Sequence, residues 1–239
     1  MNVVISQPMF LPWIGLFEQM RLADIFVHYD DVQLPQGRSF MSRVQVKTPA
    51  GIAWLTAPID RRRSGRLINE TWLVSDGEWR WIHLEKLKSC YRRTPYFDLM
   101  FKLAEEIYGY PENNLARFNG NALERLAAFL GLSPKFLSSS ELGVGGMRTE
   151  RLVAVCRHLR ADNYITGLGA LKYLEYSRFE SFGISVRYMA YQMRPYEQSH
   201  GEFRPYVTIL DAIAHCGEQT RDLLCSESVY WKDYISGSY

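Results

Sequence analysis

Short apolar runs alternate with segments of helical spacing along most of the chain. Val3-Val4-Ile5 is apolar on both faces, as a strand of a doubly covered parallel sheet must be, and it stops at Ser6-Gln7-Pro8. Residues 13–22 switch to helical spacing, with Ile14, Phe17 and Leu22 on one side and Glu18, Gln19 and Arg21 on the other. Ile25-Phe26-Val27 is a second buried strand, running into His28-Tyr29-Asp30-Asp31-Val32-Gln33. Between about 40 and 75 the pattern alternates, through Val44, Val46, Trp54, Leu55, Leu67 and Trp72, with Thr48-Pro49-Ala50-Gly51 as a turn. This block predicts an antiparallel excursion grafted on the sheet.

Residues 77–131 read as helical. Trp79, His83, Leu87, Cys90 and Tyr91 recur at three and four, and further apolar stripes cover 99–108 and 115–130, separated at Pro95 and Pro111. The second half repeats strand and helix: a strand at 136–137, a helix over 147–159, a strand at 164–167, a helix over 171–179, a strand at 185–189 and a helix over 208–214. That order predicts one α/β domain over 1–239, with a mostly parallel Rossmann-like sheet flanked by helices and a helical subdomain at 77–131.

Composition narrows the function classes. With 47% hydrophobic residues the chain supports a sizeable core, and a net charge of +2 gives no ground for a nucleic-acid or membrane surface. The four cysteines show no Cys-x-x-Cys or metal-ligand spacing, which predicts reduced thiols. No apolar run approaches the ~18 residues of a membrane helix, and the N-terminus lacks a basic leader, so a cytoplasmic protein is expected. No zinc, P-loop, kinase or Gly-x-Ser-x-Gly pattern occurs, and the sequence asks for no metal or cofactor. The one dense basic run, Arg61-Arg62-Arg63 with Arg66, reads either as a solvated turn or as a clamp for phosphate or an anionic sugar nucleotide.

Two buried strands deliver polar side chains to one sheet edge, where open α/β sheets bind ligands. Gln7 at the end of the first strand, Trp13 at the helix start, and Asp31 and Gln33 after the second are therefore candidate substrate contacts. Asp30 and Asp31, if the strand persists, point to opposite faces, while His28 and Asp30 share one, as a base with its orienting partner would. Arg43 follows the same edge and suits a carboxylate, a phosphate or an ion pair with one of the aspartates. Thr166, Gly167 and Gly169 form a second wall: glycines before a helix let a ligand approach the backbone, and Lys172 on that helix reaches an anion. Tyr196 and Glu197 lead to His200, a loop histidine between Ser199 and Gly201 that is the first choice for a general acid or base. Asp211, amid apolar neighbours, needs a partner, with His200 or Arg204 as candidates.

Four segments carry a resemblance: SQPMFLPWIGLFEQMRLADIFVHYDDVQ (6–33), SFMSRVQVKTPAGIAWLTAPI (39–59), YITGLGALKYLE (164–175) and PYEQSHGEFRPYVTILDAIAHCG (195–217). Together they resemble the WbqC-like family of bacterial proteins. The resemblance implies a place among polysaccharide and O-antigen functions, and an acyl or aminoacyl (for example glycyl) transfer onto the amino group of a nucleotide-linked sugar. His200, Asp30 and His28 are then the expected catalytic residues. The partners are the amino sugar and an acyl donor carried by CoA, a carrier protein, an adenylate or a charged tRNA. Two other readings stay open: a non-catalytic sugar-nucleotide or carrier-binding scaffold, and a tRNA-dependent transferase with a basic surface continuous with residues 61–66.

Overall fold

The computed structural model describes residues 1–37 and 39–237. The chain runs β1 (Asn2–Ser6), α1 (Ile14–Arg21), β2 (Ile25–His28), β3 (Arg43–Thr48), β4 (Gly51–Thr56), α2 (Glu78–Tyr91), α3 (Phe97–Tyr108) and α4 (Leu115–Phe129). It continues through β5 (Lys135–Ser138), α5 (Arg148–His158), β6 (Asn163–Thr166), α6 (Tyr176–Glu180), β7 (Ser185–Ala190), α7 (Ile209–Cys216), β8 (Glu227–Tyr230) and α8 (Trp231–Ser236). Six strands form one sheet in the order β5-β2-β1-β6-β7-β8; only β8 runs antiparallel to its neighbour. This is the mixed, mostly parallel α/β fold that the strand–helix order predicts.

Period two sorts the side chains into two cores. Val4, Phe26 and Ile165 face a layer built with Leu16, Phe17 and Met20 of α1 and Phe118 and Leu123 of α4. Val3, Ile5, Val27 and Tyr164 face the opposite layer, with Leu152, Val155 and Cys156 of α5 and Phe179 of α6. From β1 the chain steps outward through β2 to β5, then returns to β1's other side at β6. The direction of winding therefore reverses between β1 and β6, and the sheet's carboxyl edge opens there into a crevice.

Three expectations need correcting. First, the antiparallel excursion is a separate hairpin, β3 paired with β4 from Arg43↔Thr56 to Thr48↔Gly51, and it does not join the main sheet. After Thr56 the alternating pattern forms only isolated bridges, Ile59↔Leu73 and Gln33↔Leu67, and a 3-10 turn at Ile68–Glu70. Second, the helix expected over 171–179 is only Tyr176–Glu180. Thr149 Oγ1 takes the Glu175 N–H (3.3 Å) and donates to the Tyr173 carbonyl (3.3 Å), drawing the chain off a helical path. Third, Glu18 is not on a solvent face.

Glu18 is fully buried. Its carboxylate accepts from the N–H groups of Cys225 (2.8 Å) and Ser226 (3.0 Å) and from Ser226 Oγ (2.8 Å), and so fixes the segment that leads into β8. Neither β8 nor α8 carries a clear sequence signal. Among the described residues no helix is long and apolar enough to cross a membrane.

His83 links the hairpin side to the helices. It is buried on α2 among Phe10, Trp79 and Tyr108, with Nδ1 3.0 Å from the Tyr108 hydroxyl. Burial pushes its pKa from 6.5 down to about 4. The unfolded chain takes up this proton first as pH falls. Stability from neutral His83 is thus complete above about pH 6.5 and is lost between there and about pH 4, by ~2.5 kcal/mol at pH 4.5. Urea unfolding at pH 7 and 4.5 should show that His83→Phe loses less stability on acidification than the wild type by that amount; equal losses would refute the assignment.

Candidate functional site

The crevice between β1 and β6 holds a cavity of about 370 Å³ lined by Ser6, Gln7, Gln19, Tyr29, Thr166, Gly167, Gly169 and Tyr173, among others. A second cavity of about 590 Å³ adds Val32, Arg148, Lys172 and Glu175, and shares Tyr29, Leu152 and Tyr173 with the first. The two form one cleft with an inner chamber and a mouth. Asn119 of α4 positions its floor: Nδ2 donates to the carbonyls of Pro8 and Met41, both at 2.8 Å, so the turn after β1 is locked. Gly167 makes room for Gln19, since a Cβ there would lie 3.0 Å from Gln19 Nε2. Desolvation raises the pKa values of the Tyr29 and Tyr173 phenols, which therefore stay protonated and can donate. The inner chamber thus offers amides and hydroxyls, and the mouth offers charges.

Of the residues singled out in the sequence, Gln7, Thr166, Gly167 and Gly169 meet in the inner chamber and Lys172 at the mouth. Lys172 sits in the turn before α6 instead of on a helix, so no helix N-terminus follows the glycines directly. Gln19, Tyr29, Tyr173, Arg148 and Glu175 were not anticipated. Gln19 was hidden by its place on the helix's polar stripe, and the tyrosines read as core.

The acidic pair departs from the strand rule. β2 ends at His28, so Asp30 and Asp31 lie in a turn and both reach Ser139, whose Oγ is 3.0 Å from Asp30 Oδ1 and 2.5 Å from Asp31 Oδ1. Asp30 is buried and also accepts from Ser140 N–H (3.0 Å) and Ser140 Oγ (2.7 Å); its own carbonyl accepts from Asn69 N–H (2.9 Å). Asp31 pairs with Arg151 of α5, which supplies the salt bridge sought from Arg43. The Arg43 guanidinium lies 3.4 Å from the centre of the Trp54 ring. Trp13 packs edge-on against Tyr191 and Tyr206, and Gly15 is required beside it because a Cβ would lie 2.1 Å from the indole.

His28 turns to the other side of β2. Its Nε2 is 3.1 Å from Glu124 Oε1, its ring stacks on Phe136, and with Asp30 it lines a separate 230 Å³ pocket under α4. Gln33 lines a further groove described below. Tyr196, Glu197 and His200 lie in the loop that crosses α7, and none of them lines the cleft. His200 Nε2 is 3.0 Å from the Cys90 carbonyl. Asp211 takes its hydrogen bond from the Tyr196 hydroxyl (2.8 Å) and lies beside His215, whose Nδ1 is 3.5 Å from Oδ1; this corrects the expected partners His200 and Arg204. His215 Nε2 in turn accepts from Ser199 N–H (2.8 Å), so the network clamps the loop to α7. No cysteine lines the cleft, and burial pushes the Cys156 thiol up to about 12.

A model of the WbqC-like protein family matches residues 7–223. The chain belongs to the WbqC-like family. It is also similar to an uncharacterized protein of Mycobacterium tuberculosis, Rv1507c, with 30% identity over 226 residues that cover 93% of this chain and 97% of that one. No solved structure matches it. The matched region in this WbqC-like chain contains every residue of the cleft except Ser6 and Ile5.

Asp30 provides a test of how the site is held. Asp30→Ala strips a buried N–H and two hydroxyls of their acceptor and should lower the unfolding free energy by about 2–3 kcal/mol in urea titrations. Unchanged stability would show that the carboxylate is not needed to build the site.

Proposed function

We propose that the cleft receives the amine of a nucleotide-linked amino sugar, or of a similar small metabolite, and that the protein joins an acyl or aminoacyl group to it as an amide. The observation that carries this reading is the division of the cleft: uncharged donors and acceptors inside (Gln7, Gln19, Tyr29, Thr166, Tyr173), charges only at the mouth (Arg148, Lys172, Glu175). Hydroxyl-rich, uncharged rings need such amide and hydroxyl partners, and glycines at 167 and 169 let a ring approach the backbone. Family membership gives the second support, through the resemblance described above.

The transfer is written as direct attack. The acceptor nitrogen adds to the acyl carbonyl carbon, the bond from that carbon to its carrier breaks with the electron pair leaving on the carrier, and the nitrogen loses one proton. Glu175 is the one carboxylate among the residues lining the cleft, and it takes that proton; Arg178 Nε, 2.7 Å from Oε2, orients it. Lys172 and Arg148 hold the developing negative charge or the carrier's anionic part. Holding both reactants in one cleft supplies much of the rate.

Mass spectrometry of reactions combining nucleotide-linked amino sugars with acyl-CoA, acyl carrier, aminoacyl adenylate or aminoacyl-tRNA should reveal an amide with one donor class. Sugar binding without turnover in every arm would leave a binding protein and sink the transferase. In the active pairing, Glu175→Gln should cut kcat by roughly 10²–10⁴ with KM within a few-fold. A change confined to KM would remove Glu175 from the chemistry.

A further inference from the structure

The largest cavity in the described residues, about 670 Å³, lies on the other side of the turn after β2 and belongs to no part of the cleft. One wall is the arm between β4 and α2, which carries Arg61, Arg62, Arg63 and Arg66 within six residues. The arm is built, not loose. Asp60 N–H donates to the Trp72 carbonyl (2.8 Å), Ser64 Oγ to the Asp60 carbonyl (2.7 Å), and Gly65 N–H to the Glu70 carbonyl (2.9 Å). Glu70, the nearest candidate counter-ion, spends Oε2 on the backbone N–H groups of Arg66 (3.1 Å) and Leu67 (3.2 Å). No guanidinium of the four pairs with a carboxylate among the described residues, and all four arginines are exposed. Arg63 lies over Trp72 at 4.8 Å, while Arg61 and Arg66 face the cavity with Ser64.

The opposite wall is Gln33, Gln36 and Gly37. It is zipped to the arm by Leu34 N–H to the Arg66 carbonyl (2.9 Å), Ile68 N–H to the Val32 carbonyl (3.0 Å) and the Gln33–Leu67 bridge. Two guanidinium forks and two amides on a rigid frame match the oxygens of a diphosphate, and a frame already ordered loses little entropy on binding. The same turn separates this groove from the cleft: Tyr29 lines the inner chamber, Val32 the mouth and Gln33 the groove. Four residues span at most ~14 Å, which a nucleoside diphosphate sugar can bridge.

We propose that this groove binds the diphosphate of a nucleoside-diphosphate-linked substrate, so that the sugar end reaches over Val32 into the cleft. This assignment rests on the function proposed above and deepens it by placing the nucleotide end of the acceptor. The groove itself can be tested without any transfer reaction.

Calorimetric titration of the full chain with inorganic pyrophosphate and with UDP, at low and moderate salt, reads the site directly. The wild type should bind both, more weakly as salt rises, and Arg61→Gln/Arg66→Gln should weaken both by ten- to a hundred-fold with an unchanged melting temperature. Arg62→Gln, outside the groove's lining, should bind as the wild type does. Equal affinity in the double variant, or no binding by the wild type, overturns the groove. Affinity for an RNA stem-loop more than a hundred-fold above that for UDP overturns the small-molecule assignment in favour of nucleic acid. The two proposals fail separately. Pyrophosphate binding lost in the double variant, in a protein that forms no amide, keeps the groove and removes the transferase. Amide formation undiminished in the double variant keeps the transferase and removes the groove.

Discussion

Everything at the carboxyl edge of the sheet hangs on the turn that Asp30 closes. Its carboxylate gathers Ser139 and Ser140 from the end of β5, and its carbonyl takes Asn69 from the arm after β4. One residue therefore joins three segments separated by scores of positions in sequence. The turn's two sides become the walls of two cavities, the cleft with Tyr29 and the arginine-lined groove with Gln33. A buried carboxylate is stable only when its acceptor sites are filled, so the hydroxyls and N–H groups around it are part of the same device.

The crevice follows from topology more than from any motif. A parallel sheet whose winding reverses between β1 and β6 leaves the loops after these strands diverging, and the gap between them is open whatever residues line it. What the residues determine is its character. Gly167 admits Gln19, Asn119 locks the turn at Pro8, and desolvated tyrosines supply neutral donors. On the far side of α7, the network of Tyr196, Asp211, His215 and Ser199 does comparable work for the loop that carries His200.

The fold was largely legible from periodicity. β1 and β2 are apolar on both faces because two helical layers cover them, and the helices over 77–131 have continuous stripes broken by prolines. The misses have physical causes. β8 lies at a sheet edge, half exposed, so Glu227 to Tyr230 shows no apolar run. Glu18 and Gln19 read as a solvent face because no local pattern reveals a strand-leading segment arriving from the far end of the chain. For the site, Gln7 and the 166–169 wall could be placed from strand ends alone. The alternation argument for Asp30 and Asp31 failed because the strand stops two residues earlier. The clustering of the basic arm with Gln33 needed three-dimensional pairing that no spacing encodes.

The anchoring of Glu18 has a consequence for how the molecule assembles. Its partners stand 207 and 208 positions further along the chain, so on a ribosome α1 emerges long before the groups that satisfy its carboxylate. Until then docking α1 on the sheet would bury an uncompensated charge, and the edge of β7 stays open without β8. The first helix made is thus among the last to settle, and the contact that completes it also seals the sheet. Such long-range closure makes for slow, all-or-none folding, with the nascent chain held open until its end is in place.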